Sequence, residues 1–136
     1  MRFLWMFIFT LFVYADQFGI AYQQKLYDVV FHQLFGKRTI HVYTQKTNQT
    51  LFLEANHFQI VAKCEEADIL FLSSDKPLHG CKNKPIFVTN YDDFKHKKNV
   101  IGAFYYRKGR PQLKLNQTYL DHFKLNIDNS LLKYVE

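Results

Sequence analysis

The stretch ADILFLSSDKPLHGCKNKPIFVTN, residues 67–90, contains two apolar runs separated by a polar segment. The first run covers residues 69–72 and the second residues 85–88. Both are continuous, which is typical of strands that are covered on both faces of a sheet. The segment between them is about long enough for the short crossover that parallel neighbours need. The stretch therefore predicts two adjacent parallel strands.

The residues before this stretch predict a helix and further strands. Apolar residues at helical spacing indicate a helix over residues 18–35, and Gly36 suits its C-terminal end. Its apolar face is expected to consist of Tyr22, Leu26, Val29, Val30 and Leu34. Residues 38–44 and 58–63 resemble short strands. Residues 47–55 predict a helix between them, with Thr47 or Asn48 as its N-cap.

The residues after the stretch predict a hairpin. In IGAFYYRKGRPQLKLN, residues 101–116, the segments 101–106 and 112–115 resemble antiparallel strands. The RKGR sequence between them is expected to form the turn, because Gly109 can adopt a positive φ. Tyr105 and Tyr106 then point to opposite faces of the hairpin, so one of them packs against the core.

Three short helices complete the prediction. They cover residues 91–98, 118–125 and 129–136, and the last is expected to begin at Asn129 or Ser130 as its cap. Together these elements predict an α/β fold. It would be a small three-layer domain with a mostly parallel central sheet, a C-terminal β-hairpin and flanking helices.

The N-terminus has the features of an export signal. Arg2 precedes an apolar segment over residues 3–14, and Ala15 is a small residue of the kind found before a signal-peptidase cut. We expect residues 1–15 to be a signal peptide that is cleaved after Ala15, with residues 16–136 forming one domain. The alternative is an uncleaved anchor, which would need roughly 20 apolar residues.

Two cysteines, Cys64 and Cys81, each lie five residues before an apolar strand. If those strands are parallel neighbours, both cysteines fall at the same edge of the sheet. A pair of cysteines in an exported chain favours a disulfide bond, and two separate buried thiols are the alternative. His79 could be added to the pair as a metal ligand, but the spacing matches no common zinc pattern, so no metal is expected.

No catalytic motif is present in the chain. Six histidines occur, but HExxH, GxSxG and a glycine-rich phosphate loop do not. The net charge of +6 favours acidic partners in a general way. We therefore expect neither an enzyme nor a cofactor.

Polar residues at the carboxyl ends of the predicted strands form a first candidate site. Open parallel sheets bind ligands in the crevice beyond these ends. The candidates for binding a small ligand are Ser73, Ser74, Asp75, Asn90 and Asp92. The alternative is that such residues only cap the helices that follow.

The tip of the predicted hairpin is a second candidate site. Its aromatic and basic residues are Tyr105, Tyr106, Arg107, Lys108 and Arg110. Arginine beside exposed tyrosine is a frequent hot-spot pair at protein interfaces, and a merely solvated tip is the alternative. Nucleic acid is not expected as a partner, because the chain is predicted to be exported and the patch lacks a broad stacking surface.

The order of these motifs resembles the YfiR-like family of bacterial periplasmic proteins. That family has a strand of the type CDVLF, a second strand followed by a phenylalanine, a glycine-containing hairpin that ends in asparagine, and a C-terminal helix with two leucines. The matching residues here are 68–71, 84–88, Phe94, Ile101, Gly102, Gly109, Arg110, Leu115, Asn116 and 131–133.

The resemblance implies a periplasmic, non-enzymatic α/β domain. Proteins of the YfiR-like family inhibit a membrane-anchored diguanylate cyclase by holding its periplasmic sensor domain inactive. The partner implied for this chain is thus a membrane protein with a periplasmic sensor domain, and the chain could in addition form a homodimer.

Overall fold

The computed structural model describes residues 2–36, 38–53, 57–73 and 81–136. Within these ranges the chain forms one six-stranded sheet with helical elements on both faces. The predicted α/β class and three-layer arrangement are confirmed.

The strands are, in chain order, β1 (Ile40–Thr44), β2 (Phe58–Ile60), β3 (Ile69–Leu72), β4 (Ile86–Val88), β5 (Val100–Arg107) and β6 (Arg110–Leu115). Their order across the sheet is β2-β1-β3-β4-β5-β6. Neighbours run parallel except for β5 and β6, which are antiparallel. The continuous apolar runs are therefore the adjacent parallel strands β3 and β4, as predicted, and the hairpin is β5–β6.

The α-helices are α1 (Arg2–Phe35), α2 (Thr50–Leu53), α3 (Tyr91–His96) and α4 (Gln117–His122). In the described ranges, 3₁₀ segments lie at Lys46–Asn48, Cys64–Glu66 and Asn129–Tyr134. The long helix predicted over residues 47–55 is wrong, because a 3₁₀ turn and the short α2 share that region.

The C-terminal segment also differs from the prediction. It is a 3₁₀ helix, and its cap is Asp128 rather than Asn129 or Ser130. The Asp128 carboxylate accepts a hydrogen bond of 2.7 Å from the main-chain N–H of Asn129, which leaves that residue inside the helix.

One face of the sheet carries the main core, to which α1, α2 and α4 contribute. The predicted apolar face of α1 is partly wrong, since Tyr22 and Val29 are 48% and 45% exposed. The buried stripe consists of Tyr27, Val30, Phe31 and Leu34. This set follows the 3-4 spacing of an amphipathic helix, and it places the large aromatic rings of the helix against the sheet.

The other face of the sheet is covered by two smaller clusters. Cys64 packs there beside Leu70 of β3, and Phe94 of α3 packs on Val88 of β4. A disulfide bond joins Cys64 to Cys81, which confirms the predicted pairing. The bond ties the segment before β3 to the segment before β4, at the amino edge of the sheet.

The side chains of residues 1–18, which include the predicted leader, lie outside the described part of the structure. Cleavage after Ala15 therefore stays a prediction. Among the described residues, none of the helices combines the length and the apolar character that crossing a membrane requires.

Gly102 of β5 occupies a tightly packed position in the hairpin. A Cβ atom added there would lie 2.8 Å from Cε2 of Phe87, 2.9 Å from Cδ2 of Leu115 and 2.9 Å from the main-chain oxygen of Lys114. Only glycine fits where β4, β5 and β6 approach so closely, because one of the three contacts is with the backbone.

Reduction of the Cys64–Cys81 bond should lower the free energy of unfolding by about 3 kcal/mol, since the unfolded chain regains the freedom of the closed loop. Urea denaturation with and without reductant measures this difference. Free thiols at both positions in the purified protein, detected by mass spectrometry without reductant, would show that the disulfide bond is absent.

Gly102→Ala should lower the free energy of unfolding by about 1–3 kcal/mol, because its neighbours must move apart. The matched control is Gly19→Ala on α1, where the added Cβ meets no atom within 4 Å and alanine favours the helix. Equal stability of the two variants in thermal denaturation would show that the close approach is absent.

Candidate functional site

The hairpin tip is a two-residue turn with unneutralised charge. Lys108 and Gly109 both have positive φ, 52° and 76°, as a tight hairpin turn requires. Arg107 and Arg110 are direct partners across the ladder, so two like charges lie side by side. Within the described ranges, no carboxylate lies within ion-pair distance of these side chains. The tip therefore presents three exposed cations.

The two tyrosines of β5 point to opposite faces, as predicted. Tyr105 packs beside Val88 and Phe94, and its ring centre is 5.9 Å from that of Tyr91. Burial, the Tyr91 phenol and Glu136 raise the pKa of Tyr105, while Arg107 opposes them. Tyr106 is 49% exposed on the opposite face, whereas the alternation along β5 places Arg107 on the side of Tyr105. One tyrosine thus anchors the hairpin and the other faces solvent.

Helix α1 extends this surface with an aromatic residue that sequence reasoning assigned to the core. Phe104 of β5 is buried, and its ring centre is 6.1 Å from that of Tyr22 and 5.4 Å from that of Tyr106. Tyr22 and Tyr106 are both about half exposed and flank the same ring. We name Tyr22, Tyr106, Arg107, Lys108 and Arg110 the hairpin–helix surface.

The crevice between β1 and β3 is filled by the chain's own amide groups. Gln45 donates from Nε2 to the main-chain oxygen of Ser73 (3.0 Å) and accepts from the Ser73 N–H at Oε1 (3.1 Å). Asn48 donates from Nδ2 to Oγ of Ser73 and to Oε1 of Gln45, both at 3.1 Å. The connections of β1 and β3 leave in opposite directions here, which is the usual place for a ligand. A ligand would have to displace these hydrogen bonds.

Of the other residues predicted to bind a small ligand, the described ones, Asn90 and Asp92, do not join Ser73. Ser74 and Asp75 lie outside the described residues. Asn90 caps α3, because its Oδ1 accepts from the Asp93 N–H at 2.8 Å. Asp92 is an exposed residue of α3 that contacts His96. Capping, the alternative to ligand binding, accounts for Asn90.

At the opposite edge of the sheet, Asp68 connects β1 to β3. Its Oδ2 accepts from the His41 main-chain N–H (2.9 Å) and lies 3.1 Å from the His41 ring Nδ1, and its Oδ1 accepts from Arg38 (3.1 Å). Burial raises the pKa of Asp68, but the His41 hydrogen bonds and the Arg38 charge outweigh it and lower the pKa overall. Sequence reasoning missed this structural role.

A groove of about 290 Å³ opens beside Asp68. Both of its cations already have partners. Arg38 donates to Asp68 and to the Phe35 carbonyl, and Lys84 donates to the carbonyls of Glu65 and Ala67. This groove is therefore less suited to an anionic partner than the hairpin–helix surface.

The cysteine pair does not form a metal centre. Glu65 lies close to Cys64 and Cys81, but the two sulfur atoms are bonded to each other and offer no thiolate. His79, the third ligand considered from the sequence, lies outside the described residues.

No family model matches this chain, and no curated protein matches its sequence. The resemblance to the YfiR-like family consequently depends on the motif residues alone. The geometry of the hairpin–helix surface provides the independent basis for a functional proposal.

Asp68→Asn should lower the free energy of unfolding by about 1–3 kcal/mol at neutral pH, because hydrogen bonds to a charged acceptor are lost. A carboxylate with a depressed pKa stabilises the fold above its unfolded pKa of about 3.9 and loses that effect as pH falls through the lower folded value. The difference in the free energy of unfolding between wild type and the Asp68→Asn variant should thus become smaller at acidic pH.

Urea denaturation at a series of pH values measures this difference. Asp92→Asn, which changes a carboxylate that is 85% exposed, is the control and should have little effect. A difference for Asp68→Asn that stays constant down to strongly acidic pH would contradict the assignment.

Proposed function

We propose that this chain is an exported, non-enzymatic regulatory protein that binds the periplasmic part of a membrane signalling protein. The hairpin–helix surface is the proposed docking surface. The resemblance to the YfiR-like family supports the sensor domain of a diguanylate cyclase as the partner.

The observation that carries the proposal is that exposed tyrosines lie at the same end of the hairpin as two arginines that have no carboxylate partner among the described residues. Tyr22 and Tyr106 flank Phe104, so their rings form one aromatic patch rather than scattered apolar contacts. Tyrosine and arginine are the residues that most often dominate binding energy at protein interfaces.

The charge of the surface favours an acidic partner. Three cations project from one turn of a chain whose net charge is +6. Such a patch accelerates association with an acidic surface and repels basic ones, and salt weakens this effect.

The hairpin also holds its binding groups in place before the partner arrives. Tyr105 is packed beneath the sheet on α3, and Gly102 packs directly against Phe87 and Leu115. Because the backbone of the tip is already ordered, docking requires little loss of conformational entropy.

A small-ligand module is supported less well. Ser73, the one predicted ligand residue of the β1–β3 crevice that the structure describes, has hydrogen-bond partners in Gln45 and Asn48. Asn90 is engaged as a helix cap. The strand-end crevice thus offers fewer free groups than the hairpin–helix surface.

Charge reversal tests the proposal. The partner is first recovered from an envelope extract with the wild-type chain, and its purified periplasmic domain is then titrated. The variant Arg107→Glu/Arg110→Glu should bind roughly 30-fold more weakly, the loss expected for a hot spot of about 2 kcal/mol. Wild-type binding should weaken as salt rises.

The matched control is Lys63→Glu/Lys98→Glu, which makes the same change in net charge at two exposed lysines away from the tip. It should bind within twofold of wild type. If both double variants bind equally, the hairpin–helix surface is not the interface. If the recovered partner has no periplasmic domain, the proposed function is wrong.

A further inference from the structure

Helix α1 and the start of β2 bring two imidazole rings together, away from the hairpin–helix surface. His32 lies on α1, and His57 directly precedes β2. Their ring centres are 5.1 Å apart, and the ring planes are inclined by 80°. Phe58 packs against His32 with ring centres 5.3 Å apart, so an aromatic wall covers one side of the pair.

The surroundings of His32 fix the position of its proton. Nδ1 lies 2.7 Å from the main-chain oxygen of Asp28 and 3.0 Å from Oδ1 of the same residue. Both neighbours are acceptors, so Nδ1 carries the proton and directs it at the carbonyl. Oδ1 of Asp28 lies close to Nδ1 of His32 but has no hydrogen-bond partner among the described residues. In the neutral ring, the lone pair is therefore on Nε2.

The Nε2 atom of His32 makes no interaction within the described part of the chain that would explain its position. It is buried and has no hydrogen-bond partner there, although buried ring nitrogens nearly always have one. The His32 side chain as a whole is only 17% exposed. A lone pair held in a fixed direction without a donor is the arrangement that a metal-binding histidine has before the ion is bound.

We propose that His32 and His57 form a binding site for a divalent transition-metal ion of the Zn²⁺ type. Histidines that bind metals typically donate their second nitrogen to a carbonyl or a carboxylate, which is the role of Asp28 here. Two imidazoles on one tetrahedral zinc ion, with Zn–N bonds of about 2.0–2.1 Å, have ring centres about 5 Å apart. The observed spacing of the rings agrees with that geometry.

The expected ion follows from the ligands. Imidazole nitrogen suits Zn²⁺, Ni²⁺ and Cu²⁺, whereas Mg²⁺ and Ca²⁺ prefer oxygen ligands. Because Nε2 of His32 is buried and His57 is exposed, side chains around His32 have to move for the ion to bind, and water completes the coordination on the His57 side. The site is independent of the proposed docking function.

A second Asp-His pair in the chain serves as a comparison for Asp28 and His32. Asp92 and His96 on α3 repeat the spacing of Asp28 and His32, with Nδ1 3.0 Å from the Asp92 main-chain oxygen and 3.1 Å from its Oδ1. The His96 side chain, however, is 68% exposed, and among the described residues no second imidazole ring contacts it. If the Asp-His pair alone bound metal, both places would bind it.

Isothermal titration with ZnCl₂ tests the site on the full, untagged chain without reductant, which keeps both cysteines in their disulfide. We expect wild type to bind one Zn²⁺ and not to bind MgCl₂. His57→Gln and His32→Gln should each weaken Zn²⁺ binding at least tenfold. His96→Gln should leave the affinity unchanged. His57 is exposed, so its variant tests the site even if His32→Gln does not fold.

Paramagnetic broadening by Ni²⁺ gives a second measurement that a structural role would not affect. The ring proton signals of His32 and His57 should broaden before those of His96. Absence of Zn²⁺ binding to wild type, or equal binding by the His57→Gln variant, would overturn the proposal.

Discussion

The ring of Tyr27 is the contact on which the rest of the structure depends. Its centre lies between 5.0 and 6.0 Å from the centres of five phenylalanine rings. These rings come from α1, α2, β3, β4 and β5, and they belong to Phe31, Phe52, Phe71, Phe87 and Phe104. Burial raises the pKa of Tyr27, with a smaller contribution from Tyr106. One side chain therefore sets the position of α1 against three strands.

The hairpin–helix surface is a consequence of that packing. Phe104 contacts Tyr27 on its buried side and lies between Tyr22 and Tyr106 towards solvent. Because α1 is held by Tyr27, Tyr22 comes beside the hairpin although the two are far apart in the chain. The cations of the turn follow directly from the end of β5. The core thus determines which aromatic residues accompany the charges.

The parts of this fold that could be predicted are those that depend on local pattern. Continuous apolar runs indicated β3 and β4, and Gly109 marked the turn of the hairpin. The buried stripe of α1 was harder, because Tyr22 and Val29 follow helical spacing as well as Tyr27 does. Only the arrangement of the sheet decides which of them meets the core.

Only part of the candidate site could be predicted from the sequence. The basic tip was visible in the sequence, but the role of Tyr22 was not, since it arises from a contact between distant segments. The roles of Gln45, whose amide fills the β1–β3 crevice, and of the pair His32 and His57 also arise from contacts between segments that are distant in the sequence. Asp68 looked like part of a family motif, and the structure adds that it joins β1 to β3.

Site-specific photocrosslinking in intact cells can show whether the hairpin–helix surface contacts a membrane protein. A photoreactive phenylalanine analogue replaces Tyr106 in one experiment and Lys63, which is also exposed, in the other. We expect the analogue at position 106 to crosslink to a membrane protein through its exported domain, and the analogue at position 63 not to do so. Crosslinking from position 63 alone, or from neither position, would show that the hairpin–helix surface is not the docking surface.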